Sequence, residues 1–238
     1  MPKKSLGQNF LVDQNILKKI VNQTKIKDEN IIEIGPGTGN LTKQILSKKP
    51  KSLILIEKDN ELYNFLKTKF INKEITIINK DALDVDFSKF KKAKIISNLP
   101  YNVSTKIIMK LIFYNKNIIN LICMIQKELG NKFDYNKDKM NKYKFIIQYC
   151  CDYKILFDVS NKVFYPKPKV KSNVVEFKLK KQRINKKKLL YFVEKLFQKK
   201  RKRLGNKLVK KIEINEKVLD KRVEDLNFNE LLSIYNLF

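Results

Sequence analysis

The chain contains no histidine. That removes imidazole-based general acid–base catalysis, the Ser-His-Asp and Cys-His nucleophile systems, and most zinc sites. Cysteine is scarce. Cys123, Cys150 and Cys151 are the three thiols, and three with an adjacent pair make neither a disulfide framework nor a metal motif. A reducing, intracellular compartment fits. No apolar run approaches the roughly 20 residues of a membrane span, and neither a secretory signal nor a transit peptide is expected from the opening Met1-Pro2-Lys3-Lys4. Acidic residues are few beside the basic ones: 24 Asp and Glu against 52 Lys and Arg, for a net charge of +28. Such a charge asks for a polyanionic partner, nucleic acid or an anionic membrane surface. The abundance of Lys, Asn and Ile points to a compositional bias as well, but Asp and Glu have not risen in step. What is left for chemistry is backbone groups, amides, carboxylates, aromatics and a bound cofactor.

With 238 residues, 43% of them hydrophobic, the chain can bury one or two cores. Short apolar runs at Asn30 to Ile34, Leu53 to Ile56, Ile75 to Ile78, Lys94 to Ile96 and Leu121 to Ile125 read as buried parallel strands. Helical patterns separate them, at Leu41–Leu46, Leu62–Leu66 and Thr105 to Phe113. Lys154 to Val159 and Val174 to Leu179 read as later strands, close enough together for the last pair to be antiparallel. This rhythm predicts an α/β fold, a doubly wound, Rossmann-like sheet with helices on both faces. After Leu179 the composition turns basic and polar. An amphipathic helix on Leu189, Phe192, Val193, Leu196 and Phe197 then runs into Lys199-Lys200-Arg201-Lys202-Arg203, and Asn227 to Glu230 forms a candidate capping box. Residues 1–180 are therefore expected to form the main domain and 181–238 a small, basic, helical one.

Three of the six glycines sit together in Glu33-Ile34-Gly35-Pro36-Gly37-Thr38-Gly39, between a strand and a helix. Glycine allows the sharp turn and lets a ligand approach the backbone N–H groups. The spacing is not that of a dinucleotide cradle. Glu57 closes the next strand, where a carboxylate can accept both ribose hydroxyls of an adenosine-containing ligand. Asp81 follows the third strand, where an adenine amine needs an acceptor. Ser97-Asn98-Leu99-Pro100-Tyr101-Asn102 ends the fourth strand, on the sheet edge where open α/β folds bind ligands. The side-chain oxygen of Asn98 and the carbonyl of Leu99 can accept the two N–H bonds of a purine amine. Pro100 stiffens the turn, and Tyr101 can stack on the base. No strong base is required, because the product ammonium loses its proton to water.

In these segments the chain resembles the KsgA-type ribosomal RNA adenine dimethyltransferases. The likeness runs from Leu6-Gly7-Gln8-Asn9-Phe10-Leu11 through Glu33–Gly39, Ile56-Glu57, Asp81-Ala82, Asn98–Asn102 and Gln126-Lys127-Glu128 to Phe164-Tyr165-Pro166-Lys167-Pro168-Lys169-Val170. It implies a class I methyltransferase with S-adenosyl-L-methionine as cofactor and no metal. Asn9 and Leu11 would lie over the cofactor, Gly35 and Gly37 against its methionine part, and Glu57 and Asp81 on its ribose and adenine. Asn98 would bridge the methyl-donor end and the target amine, with Tyr101 and Phe164 sandwiching the base. The implied substrate is small-subunit rRNA in a pre-ribosomal particle, dimethylated at two adjacent adenosines in a hairpin loop near its 3′ end. Lys199, Lys200, Arg201, Lys202 and Arg203 would contact RNA, with Lys106, Lys110, Lys127, Lys167 and Lys169 flanking the pocket. A cytoplasmic or organellar-matrix monomer with a role in small-subunit biogenesis is expected, and no membrane. The erythromycin-resistance methyltransferases of large-subunit rRNA and a catalytically idle assembly factor are the competing readings.

Overall fold

The computed structural model describes residues 9–71, 73–137, 139–198, 203–206, 214 and 216–238. Leu6, Gly7 and Gln8 of the N-terminal motif and Lys199, Lys200, Arg201 and Lys202 of the basic cluster lie outside the described residues.

In chain order the strands and helices are β1 (Phe10–Leu11), α1 (Gln14–Val21), β2 (Asn30–Ile34), α2 (Asn40–Ser47), β3 (Ser52–Glu57), α3 (Asn60–Lys69), β4 (Ile75–Asn79), β5 (Ala93–Asn98), α4 (Ser104–Leu111), β6 (Ile118–Gln126), α5 (Lys127–Phe133), α6 (Lys142–Cys150), β7 (Cys151–Val159), β8 (Phe164–Tyr165), β9 (Ser172–Leu179), α7 (Lys186–Phe197), α8 (Glu216–Leu219) and α9 (Phe228–Leu237). Two compact units result, one of residues 1–130 with 152–181 and one of residues 131–151 with 182–238.

The first unit is built on a seven-stranded sheet in the order β4-β3-β2-β5-β6-β9-β7. Strands β2 to β6 pair in parallel, and β9 joins β6 antiparallel, with Gln126 opposite Ser172. The β-branched runs of β2, β3 and β5 are buried on both faces because helices cover both. Parallel pairing brings Ile34, Glu57, Asn79 and Asn98 to the same carboxyl edge, and the sheet order reverses between β2 and β5. That reversal opens a crevice at the strand ends. Helix α1 and the two-residue pair β1–β8 are not anticipated by the periodicity. Asp13 caps α1 by accepting the Ile16 N–H at 2.9 Å. Strand β8 places Phe164 opposite Leu11 and Tyr165 opposite Phe10, a long-range pairing too short to leave a pattern.

The second unit is helical. It takes in 131–151 as well as the C-terminal residues, so the compact units do not follow a single cut at 180/181. The reason is aromatic packing: fully buried Phe145 of α6 lies 5.4 Å from Phe192 of α7, 5.6 Å from Phe228 and 6.2 Å from Tyr235 of α9. The capping box at α9 is present, with Asn227 and Glu230 each accepting the other's backbone N–H at 2.9 Å. Phe145→Ala, which empties the centre of this cluster, is expected to destabilise the chain by about 3–5 kcal/mol. Denaturant unfolding measures the loss.

Candidate active site

The glycine loop between β2 and α2 takes left-handed backbone angles at all three glycines, φ +64° at Gly35, +57° at Gly37 and +77° at Gly39. A Cβ at Gly37 would stand 2.8 Å from the Phe10 ring, so this position is closed to side chains on space as well as on angle. The loop's N–H groups are spent inside the protein: Gly35 donates to the Ile56 carbonyl at 2.9 Å, Gly39 to Pro36 at 2.9 Å and Gly37 to Glu57 Oε2 at 3.2 Å. Gly35 and Gly37 thus present side-chain-free backbone to the cleft while their own N–H groups bond within the protein.

Glu57, at the end of β3, is 6% exposed. Its second oxygen accepts the Asp59 N–H at 2.9 Å. Burial raises its pKa above the ordinary carboxylate value, against the pull of backbone bonds from Asp59, Gly37 and Lys58. Asp81 accepts the Leu83 N–H at 2.8 Å and pairs with Lys58 Nζ at 2.8 Å. Burial pushes its carboxyl up, but the Lys58 ammonium and the Leu83 N–H outweigh that and hold it below its usual value. Asp81 is therefore a turn cap and half of an ion pair as well as a cleft residue.

Asn98 ends β5. Its Nδ2 donates to the Asn9 carbonyl at 3.0 Å, which fixes which end of the amide is which. Its Oδ1 is buried and has no hydrogen-bond partner among the described residues. Leu99 donates its N–H to the Met124 carbonyl at 3.1 Å, anchoring the turn to β6. The Tyr101 hydroxyl lies 2.6 Å from Ser172 Oγ.

Asn9, Leu11, Gly35, Gly37, Glu57, Asp81, Asn98, Leu99, Pro100 and Tyr101 line one cavity of about 130 Å³. Phe164 is not part of that lining. It is 4% exposed, and its ring meets Tyr101 edge-on at 6.5 Å and 70° rather than as a parallel plate. Of the lysines expected to flank the pocket, Lys110 instead turns inward, donating to the Ala82 and Leu83 carbonyls at 3.2 and 2.5 Å, and Lys127 pairs with Asp158. Arg203 is described, exposed and paired with Asp220 at 3.3 Å. Sequence reasoning missed Lys58, Ser172 and Asn40, whose Nδ2 ties the β1 carbonyl of Leu11 to the start of α2 at 3.0 Å. Lys58 carried a signal in its place beside Glu57. The other two carried none, because their partners are remote in sequence.

The sequence pattern of the ribosomal RNA adenine dimethylase family matches residues 2–238. The chain belongs to this family. A relative from Malacoplasma penetrans named ribosomal RNA small subunit methyltransferase A is 44% identical over 213 residues, 86% of this chain and 77% of that one. One of the same name from Hydrogenobaculum is 38% identical over 239 residues, 99% of this chain and 92% of the relative. The crystal structure of a dimethyladenosine transferase from Plasmodium falciparum shares the fold, with TM-score 0.79 and 24% identity over 96% of this chain and 98% of that one. So does the 23S rRNA methyltransferase ErmE, with TM-score 0.78 and 18% identity over 95% and 98%. The fold is thus shared with a 23S rRNA methyltransferase, while the sequence relatives carry the small-subunit name, and the large-subunit reading is not favoured. The family's chemistry is methyl transfer, and the cofactor it implies is S-adenosylmethionine. The cleft fits that group: it combines a wall of side-chain-free backbone, a buried carboxylate and an orphaned buried acceptor. Among the described residues no group of three or more Cys, Asp and Glu side chains could hold a metal, and no helix is long and apolar enough to cross a membrane.

Glu33 lies under the loop, 1% exposed, and accepts the Thr42 hydroxyl at 2.6 Å. Burial pushes its carboxyl up to about 8, with the Thr42 bond opposing and the Glu57 charge adding. A folded-state value above the unfolded 4.5 means that the native chain holds a proton the unfolded chain has lost. Stability is then fully present below the lower value and declines as pH rises through the higher one. Glu33→Gln is expected to flatten that decline, read by denaturant unfolding at about pH 5 and about pH 8. A variant that keeps the parental slope refutes the assignment.

Proposed function

We propose that this chain transfers methyl groups from S-adenosylmethionine to the exocyclic amines of two adjacent adenosines near the 3′ end of small-subunit rRNA, dimethylating each. The observation that carries this reading is the orphaned Oδ1 of Asn98 on the cleft wall. A buried acceptor left unpaired costs about 1–3 kcal/mol, and an amine N–H is the group that would satisfy it.

In this reading Glu57 holds the cofactor's ribose hydroxyls, Asp81 its adenine amine, and Asn9 and Leu11 cover it. Gly35 and Gly37 leave room for its methionine part. When bound, the cofactor supplies an electrophilic methyl group. Asn98 Oδ1 and the Leu99 carbonyl accept the two N–H bonds of the target amine, orient its lone pair and raise its electron density. Pro100 keeps the turn that carries both acceptors rigid. Tyr101 presents a stacking surface to the splayed-out base. Phe164 supports the Tyr101 ring from its edge and becomes a second plate only after the rings turn. Proton loss from the product to water explains how a chain without histidine can act. Rate enhancement comes chiefly from positioning.

The sheet unit is assigned catalysis and the helical unit RNA binding, through Arg203 and the neighbouring Lys199, Lys200, Arg201 and Lys202. Affinity from phosphate neutralisation should fall steeply with salt, and selectivity should come from RNA shape. A cytoplasmic monomer acting during small-subunit biogenesis completes the reading.

The test is to incubate the purified chain with S-adenosylmethionine and either ribosomal subunit, then map methylated adenosines by mass spectrometry. Dimethyladenosine in small-subunit RNA is expected. Modification of large-subunit RNA alone, or of neither, overturns the proposal. Asn98→Ala is expected to lower turnover by about a hundred-fold or more, while calorimetric cofactor affinity changes by only a few-fold.

A further inference from the structure

The Tyr101 ring is held at both ends. Its Cβ leaves the proline-stiffened turn after β5, and its hydroxyl meets Ser172 Oγ at 2.6 Å. Ser172 is fully buried and opens β9, locked opposite Gln126 of β6 in the antiparallel ladder. An aromatic side chain has two soft torsions. The hydroxyl lies on the axis about which the second torsion turns, so its fixed partner holds the first torsion and with it the direction of the ring axis, while the Phe164 ring, 6.5 Å away at 70°, flanks it. The place of the Tyr101 ring on the cleft wall is thereby set by a residue that does not line the cleft.

We infer that Ser172 is a positioning residue for the target base, acting through its hydrogen bond to the Tyr101 hydroxyl. This rests on the reading of Tyr101 as the stacking surface. Tyr101 lies on the turn after β5 and Ser172 opens β9, so their bond couples the turn that follows Asn98 and Leu99 to the antiparallel β6–β9 ladder. Losing the bond leaves the cofactor's carboxylates, Glu57 and Asp81, untouched, so the cost falls on the placement of the base.

The test is a double-mutant cycle with Ser172→Ala and Tyr101→Phe. Each single change is expected to lower kcat for small-subunit RNA by about five- to ten-fold, the worth of one ordinary hydrogen bond, with the dissociation constant of S-adenosylmethionine unchanged. The double variant should lose no more than the worse single one, because both remove the same bond. Ser172→Thr, which keeps a hydroxyl, should retain most of the turnover. Parental turnover in Ser172→Ala, or losses that simply multiply in the double variant, overturns the inference. Should Ser172→Ala fail to fold in a thermal melt, parental turnover in Tyr101→Phe overturns it equally. Tyr101→Ala separates the two claims. If it retains full turnover the stacking reading itself fails, whereas a dead Tyr101→Ala beside a fully active Ser172→Ala removes only the tether.

Discussion

The buried carboxylate of Glu57 is the constraint on which the cleft depends. One oxygen receives the Gly37 N–H and the other the Asp59 N–H, so a single side chain at the end of β3 clamps the glycine loop on one side and the entry to α3 on the other. Its own backbone carbonyl accepts from Lys80 and from Asn79 Nδ2, each at 3.0 Å, which draws the end of β4 into the same cluster. Three strand ends therefore share one anchor. The desolvation that raises the Glu57 pKa is offset by bonds to backbone that itself has nowhere else to go. Glu57 also lines the cleft, next to the loop it clamps.

In the proposed function, fixed dipoles around that anchor take the place of the missing histidine. An amide oxygen and a main-chain carbonyl require no titration to be ready, and both sit on a turn stiffened by Pro100. Asn98 Oδ1, buried with no partner among the described residues, is a local cost, while Nδ2 is committed to Asn9. The large positive charge belongs to a different scale of the problem. Lys110 and Lys127 show that some of it is used within the molecule, in carbonyl capping and ion pairing, before any polyanion arrives.

Most of the parallel sheet was legible in the sequence, because strands buried on both faces appear as uninterrupted apolar runs and the helices between them keep their own period. The glycine cluster, Glu57, Asp81 and the Asn98–Tyr101 turn were legible for the same reason: each follows directly on a strand whose end is marked by composition. The pairing of β1 with β8 was not legible, nor was the membership of residues 131–151 in the helical unit. Two residues are too few to show a period, and the aromatic faces of α6, α7 and α9 meet across long stretches of chain.

By itself, the sequence determined the order of the parallel strands and the helices between them, the family, and the residue types presented at the carboxyl edge of the sheet, since local propensity and strand-end punctuation are encoded in neighbouring residues. Tertiary structure alone decided how those residues are used. It spent the loop amides on Glu57 and on carbonyls, gave Asp81 a lysine partner, turned Phe164 edge-on and inward, and fastened Tyr101 to Ser172. Each of these outcomes depends on atoms that approach only when distant strands align, and no local pattern carries that information.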